Sequence, residues 1–193
     1  MIVCYIGDSL TLGYGDPAGL GWPGRVSGAL HNGGHDLTSY NLGVRKDTSV
    51  LIGKRWKEEA ARRVIEGVPL KLVFSFGVAD MVNDVSPEDT RTAAETFLTE
   101  ARAMGEVLVV GPTPVLDEAN CARVGELSQI IGRLCDFLGV PFIPTMDGLQ
   151  NDPVYIQALA DGDTVHPTAS GYAALARLIL AAPEAADFFE LGK

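Results

Sequence analysis

The sequence predicts an α/β protein, a three-layer α/β/α sandwich around a five-stranded parallel sheet. Two observations carry this. Short apolar runs recur along the 193 residues, and longer segments of helical period separate them. Two of the runs are almost continuously apolar, the pattern of strands covered on both faces. Alternation of this kind builds βαβ units, whose parallel strands need helical crossovers.

The first strand, residues 2–6, reads Ile2-Val3-Cys4-Tyr5-Ile6. A second strand is expected at 37–42. After it, Ile52, Trp56, Ala60, Ala61, Val64 and Ile65 fall on one helical face. The third strand covers 70–76. Ser86-Pro87-Glu88-Asp89 then offers an N-cap, a proline at the first helical position and an acid at the third, which starts a helix. Its stripe is Ala94, Phe97, Leu98, Ala101 and Met104. A fourth strand at 107–110 precedes the stripe Leu127, Ile130, Ile131, Leu134 and Leu138. A fifth at 140–143 is followed by a long segment, 144–162, that carries Tyr155 and reads as a partial cover. Tyr172, Leu175, Ala176, Ile179 and Leu180 mark the last helix. No repeat, linker or low-complexity tract divides the chain, so residues 1–193 are expected to form a single domain.

Composition narrows the function. A net charge of -10 disfavours nucleic acid, because phosphate contacts need clustered Lys and Arg. No apolar run is long enough for stable membrane insertion. The chain runs from Met1 straight into its first strand with no basic leader, and its three cysteines have no framework spacing. A cytoplasmic protein with free thiols is the expectation. Cys4 falls inside the first apolar run and reads as a core residue rather than a nucleophile. The sequence is also compatible with a homo-oligomer.

In open parallel sheets, ligands bind beyond the carboxyl ends of the strands. The first strand ends in Gly7-Asp8-Ser9-Leu10, where a glycine that permits a tight turn precedes a serine placed to present its hydroxyl. A capped turn is the plainer reading, and a phosphate loop would need a Lys and Ser/Thr that are missing. Ahead of the last helix, Asp163-Thr164-Val165-His166 sets a carboxylate three residues from an imidazole, close enough to fix its tautomer. An Asp-His pair alone makes a poor zinc site, which needs at least three protein ligands. His31 and His35 lie in a polar, glycine-rich loop and are expected to be exposed, which leaves His166 as the candidate base. A flavin or nucleotide binder built on the first loop would have no use for the Asp163/His166 pair.

These residues resemble a known family. Gly7-Asp8-Ser9-Leu10 is similar to the GDSL block of SGNH hydrolases, and Asp163-Thr164-Val165-His166 to their C-terminal DxxH block. Asn41-Leu42-Gly43 resembles the family's glycine block, and Gly77-Val78-Ala79-Asp80 aligns with its GxND block. The blocks keep their order and span nearly the whole chain, whereas the G-x-S-x-G elbow of α/β-hydrolases is absent. The resemblance implies a flavodoxin-like sheet and a serine ester hydrolase without metal or organic cofactor. Ser9 would attack the carbonyl, His166 would act as base and Asp163 would orient it. The oxyanion donors implied are the N–H groups of Ser9 and Gly43 and a side-chain amide at position 79. Glycine at 43 is expected so that a backbone donor can approach the substrate without a Cβ in the way.

Position 79 departs from the family pattern, since alanine stands where asparagine is expected. Loss of one oxyanion donor costs roughly 10²–10³ in rate, so reduced activity is expected. Three readings fit the departure: an introduced substitution, a variant using another donor such as Asn83 or Asn120, or an inactive ester-binding relative. Candidates for the substrate-binding walls are Asp8, Leu10, Tyr14, Trp22, Arg45, Pro114 and Val165. Trp22 reads equally well as a staple at a helix start, and Arg45 and Lys46 are candidates to meet an anionic group. With no room for a large lid, small or short-chain acyl and aryl esters are favoured. Carbohydrate O-deacetylase, thioesterase and lysophospholipase remain alternatives, because fold does not choose among them.

Overall fold

A computed structural model describes residues 1–192. The elements run β1 (Ile2–Gly7), α1 (Ser9–Leu12), α2 (Gly21–Asn32), β2 (Thr38–Gly43), α3 (Ser49–Ala61), β3 (Leu70–Ser75), α4 (Val78–Val82) and α5 (Pro87–Arg102). They continue with β4 (Glu106–Val110), α6 (Glu118–Leu138), β5 (Phe142–Ile143), α7 (Met146–Gln150), α8 (Pro153–Ala160), α9 (Ala169–Ala181) and α10 (Pro183–Phe189). The five strands form one sheet in the order β2-β1-β3-β4-β5, parallel at every pairing. This is the flavodoxin-like order.

The apolar strands are buried on both faces, for the reason the sequence suggests. Val3 and Tyr5 of β1 point into one core with residues of α2, α8, α9 and α10. Ile2, Cys4 and Ile6 point into the other, against α3 and α5. Helix α6 contributes to both cores: Val124 and Leu127 enter the first, Ile131 and Leu134 the second. Strand β2, at the edge, is mostly exposed and polar, which suits an unpaired edge. The helix start at Ser86 forms as expected, with its hydroxyl accepting the Asp89 N–H at 3.0 Å. Such caps contribute about 1 kcal/mol each.

Several expectations shift. Helix α3 stops at Ala61, so Ala61, Val64 and Ile65 do not extend its buried face; Val64 and Ile65 are each 52% exposed. The segment after β5 folds into α7 and α8, and Tyr155 is fully buried in the core instead of covering a site. Cys4 is buried, and burial pushes its thiol up to about 11, as suits a core residue. No described helix is long and apolar enough to cross a membrane.

Candidate active site

The carboxyl end of β1 meets α1 with a single residue between them. Asp8 caps α1 by accepting the Leu10 N–H at 2.8 Å, which leaves Ser9 as the first helical residue. Gly7 is not in a left-handed conformation. A Cβ there would lie 2.2 Å from the Ser75 carbonyl oxygen, so close approach of β1 to β3 demands the glycine, not turn geometry.

His166 reaches this turn from the other end of the chain. Its Nε2 lies 2.7 Å from Ser9 Oγ. Its Nδ1 lies 2.9 Å and 3.0 Å from the two Asp163 carboxylate oxygens. A carboxylate only accepts, so Nδ1 carries the proton and Nε2 is left to accept from the serine hydroxyl. Asp163 Oδ1 also takes the backbone N–H groups of His166 (2.8 Å) and Val165 (3.2 Å). Burial works against its charge, but the hydrogen bonds from His166 and Val165 outweigh it and hold the carboxyl below its ordinary value.

The turn carrying this pair is tightly braced. Thr164 sits at φ 73°, its N–H donates to Leu159 O at 3.1 Å, and its carbonyl accepts from Leu116 N at 2.8 Å. A Cβ on Gly162 would fall 2.1 Å from the His166 carbonyl oxygen. The Tyr14 ring packs edge-on to the His166 imidazole at 4.8 Å, and the Tyr172 hydroxyl donates to the Tyr14 carbonyl at 2.6 Å. Gly162 and Tyr172 did not stand out as site residues in the sequence. Tyr172 was masked by its place in an apolar helical stripe, although a buried tyrosine needs a partner for its hydroxyl.

Gly43 pairs with Gly7 across the β1–β2 edge. A Cβ here would lie 2.2 Å from Leu12 N, so the glycine is required by the backbone of α1 rather than by an approaching substrate. Its N–H donates to Asn41 Oδ1 at 3.0 Å, while Asn41 Nδ2 donates to Thr11 O at 2.9 Å. Asn41 thus ties β2 to the nucleophile turn, a role its place in the motif did not reveal.

Ala79 is buried in α4, and its N–H donates to Asp8 Oδ2 at 3.3 Å. Asp80 accepts from Ser49 N, Ser49 Oγ and Thr90 Oγ1, which ties α4 to α3 and α5. Asn83, a candidate replacement donor, is committed to the Ala79 carbonyl at 2.7 Å. Asn120 lies in the first turn of α6, where its Oδ1 accepts from Arg123.

Three wall candidates are corrected. Trp22 is 1% exposed and packs at right angles to Tyr5 in the core, so neither it nor Leu10, also buried there, lines an open wall. Asp8 is buried behind Ser9 and occupied by backbone donors. Burial pushes its carboxyl up to about 6, against the bonds from Leu10 and Ala79. Val165 is half-buried at the margin of the core, and Arg45 is exposed over Tyr14. Pro114 is buried but helps line a groove of about 930 Å³ between α6, α7 and the loop after β4; neither Ser9 nor His166 lines it. His31 is exposed and His35 half-buried, and neither approaches Ser9 in any hydrogen bond.

The chain is similar to known families and structures of one kind. A profile of the GDSL-like Lipase/Acylhydrolase family matches residues 5–174. No curated protein sequence matches the chain. Among solved structures, a lipase/acylhydrolase from Enterococcus faecalis is 23% identical, covers 93% of both chains and superposes with a TM-score of 0.78. Axe2, an acetylxylan esterase from Geobacillus stearothermophilus, is 18% identical over 93% of this chain and 92% of its own, with a TM-score of 0.78. A lipolytic G-D-S-L family member from Veillonella parvula DSM 2008 is 18% identical over 93% and 95%, with a TM-score of 0.70. The serine turn, the flavodoxin-like sheet and a profile match over most of the sequence lead to one assignment: the chain belongs to the GDSL-like lipase/acylhydrolase family of the SGNH superfamily and is a carboxylic ester hydrolase.

Proposed function

We propose that the protein hydrolyses small or short-chain acyl and aryl esters through Ser9, His166 and Asp163. The observation that carries this is the continuous hydrogen-bonded chain Ser9 Oγ–His166 Nε2 and His166 Nδ1–Asp163, with each distance at or below 3.0 Å. His166 takes the serine proton as Oγ attacks the carbonyl, then returns it to the departing alcohol, leaving an acyl-enzyme. Water activated by the same imidazole releases the acid. Asp163 keeps the ring in the required tautomer and balances its positive charge.

The oxyanion is held by the Ser9 N–H, which has no intrahelical partner at the start of α1, and by Gly43 N–H once it turns from Asn41. Ala79 contributes no side-chain donor, so turnover is slow by roughly 10²–10³ relative to an asparagine at that position. The test is p-nitrophenyl acetate hydrolysis by the protein, Ser9→Ala and Ala79→Asn. Ser9→Ala abolishes the reaction and Ala79→Asn accelerates it by about two orders of magnitude or more. Turnover that survives Ser9→Ala, together with no serine-directed phosphonate labelling of Ser9, overturns the assignment.

A second reading, carbohydrate O-deacetylation, draws on the solvent exposure at the rim of the site, where Asp163 keeps 52% of its side chain exposed. Preference for acetylated xylo-oligosaccharides over p-nitrophenyl acetate distinguishes it.

A further inference from the structure

The protein carries a net charge of -10, yet the turn that follows Gly43 presents two exposed cations, Arg45 and Lys46. Among the described residues, Arg25, Arg55, Arg91 and Arg123 each pair with a carboxylate. Arg45, like Arg62, Arg63, Arg102, Arg133 and Arg177, has no such partner there, and its position sets it apart. Its guanidinium carbon lies 3.8 Å from the centre of the Tyr14 ring, the same ring that packs on His166 at 4.8 Å. The order is therefore guanidinium, phenol, imidazole.

This placement is built, not incidental. Asp47 N donates to Val44 O at 3.2 Å across the Arg45-Lys46 tip, and Lys46 adopts φ 70° to close the turn. A non-glycine residue in that region costs about 1–2 kcal/mol, so other contacts must hold the turn closed. They are visible: Arg55 binds Asp47 and donates to the Gly7 carbonyl at 3.0 Å, while Val44 N donates to the same carbonyl at 2.9 Å. The base of the turn is thus bolted to the end of β1, two residues before Ser9. From the other side, Tyr14 is pinned by the Tyr172 hydroxyl at 2.6 Å. Stacking leaves the in-plane N–H fork of Arg45 free, and that fork matches a carboxylate bidentately.

We propose that Arg45 is a specificity-determining residue that binds a carboxylate carried by the ester substrate, so that the preferred substrates are anionic esters. The inference rests on the assignment of Ser9 and His166 as the reacting pair. Arg45 does not touch the reacting atoms. It draws the anion toward a site that the rest of the protein's charge would repel, and Lys46 adds to the local field.

The experiment compares charged and neutral esters of matched shape. On the alcohol side these are 4-acetoxybenzoate and methyl 4-acetoxybenzoate; on the acyl side, the p-nitrophenyl monoester of adipic acid and p-nitrophenyl hexanoate. Each is measured with the protein, Arg45→Gln, Arg45→Lys and Ser9→Ala. The expected result is that Arg45→Gln lowers the ratio of anionic to neutral kcat/KM by about 10- to 100-fold in at least one pair, mainly through KM. Arg45→Lys recovers part of the ratio, and added salt erodes it. The pair that responds tells whether the anion sits on the acyl or the alcohol side. An unchanged ratio in both pairs, with hydrolysis still dependent on Ser9, overturns the inference and leaves the esterase assignment standing. Equal loss on charged and neutral esters also overturns it, because Arg45 would then act only by holding Tyr14. Hydrolysis that ignores Ser9→Ala in every pair overturns both.

Discussion

Replacing Thr164 by glycine stabilises the protein without moving the Asp163–His166 pair. Thr164 lies at φ 73°, a region where an L side chain costs roughly 1–2 kcal/mol and a β-branched one is most disfavoured. The side chain is exposed, so removing it sacrifices little packing. Both backbone hydrogen bonds, to Leu159 O and from Leu116 N, survive the change. Against the relief stands the greater freedom of glycine in the unfolded chain, about 0.4–1 kcal/mol. The balance is a gain of about 0.5–1 kcal/mol, or a Tm rise of about 1–4 °C for a protein of this size. Calorimetry on the protein, Thr164→Gly and Thr164→Ala measures it. Alanine keeps the Cβ and therefore the strain, so it serves as the control. If glycine lowers Tm, or alanine raises it equally, then backbone strain at Thr164 is not the cause and the argument fails.

Other consequences are as specific. Asp8 has its carboxyl raised from 3.8 to about 6 by burial, so its ionised form costs the folded state about 3 kcal/mol at pH 8. Because the folded value is the higher one, that stability is present below pH ~4 and lost as pH rises through about 6. Asp8→Asn is uncharged throughout and gives up about 1 kcal/mol by losing the acceptor for Ala79 N–H. Urea denaturation should therefore find the variant ahead of the parent at pH 8 and the advantage shrinking by pH 5; a difference independent of pH refutes the account. Gly162→Ala drives a Cβ into the His166 carbonyl, and a displacement of that kind lowers kcat by up to about 100-fold. A kcat within twofold of the parent would show that the turn relaxes freely.

The fold was legible because both faces of the sheet are covered, which makes each central strand an apolar run and each crossover helix a stripe. The stripes misled mostly at their ends, although Ile130, inside its stripe, is only half-buried and joins neither core. Val64 and Ile65 continue the period of Ile52 and Trp56, but the chain leaves α3 at Arg62, and nothing in periodicity marks that exit. The candidate site was legible for a topological reason: residues that directly follow parallel strands share one end of the sheet. Ser9 after β1 and Gly43 after β2 are neighbours for that reason, and the loop before α9 brings His166 to them.

What only the tertiary structure decided is what each residue near the site touches. Trp22 and Leu10 look like wall residues in a loop and prove to be core, because the chain buries them as it turns back over β1. Gly7 and Gly43 are glycines because β3 and α1 approach them, a contact between segments far apart in sequence. Arg45 is distinguished from the other exposed cations by lying on the Tyr14 ring that packs against His166. Local pattern reports which face of an element is apolar and where a strand ends. Which backbone or ring then meets that end depends on contacts between distant segments, and those exist only after the sheet has formed.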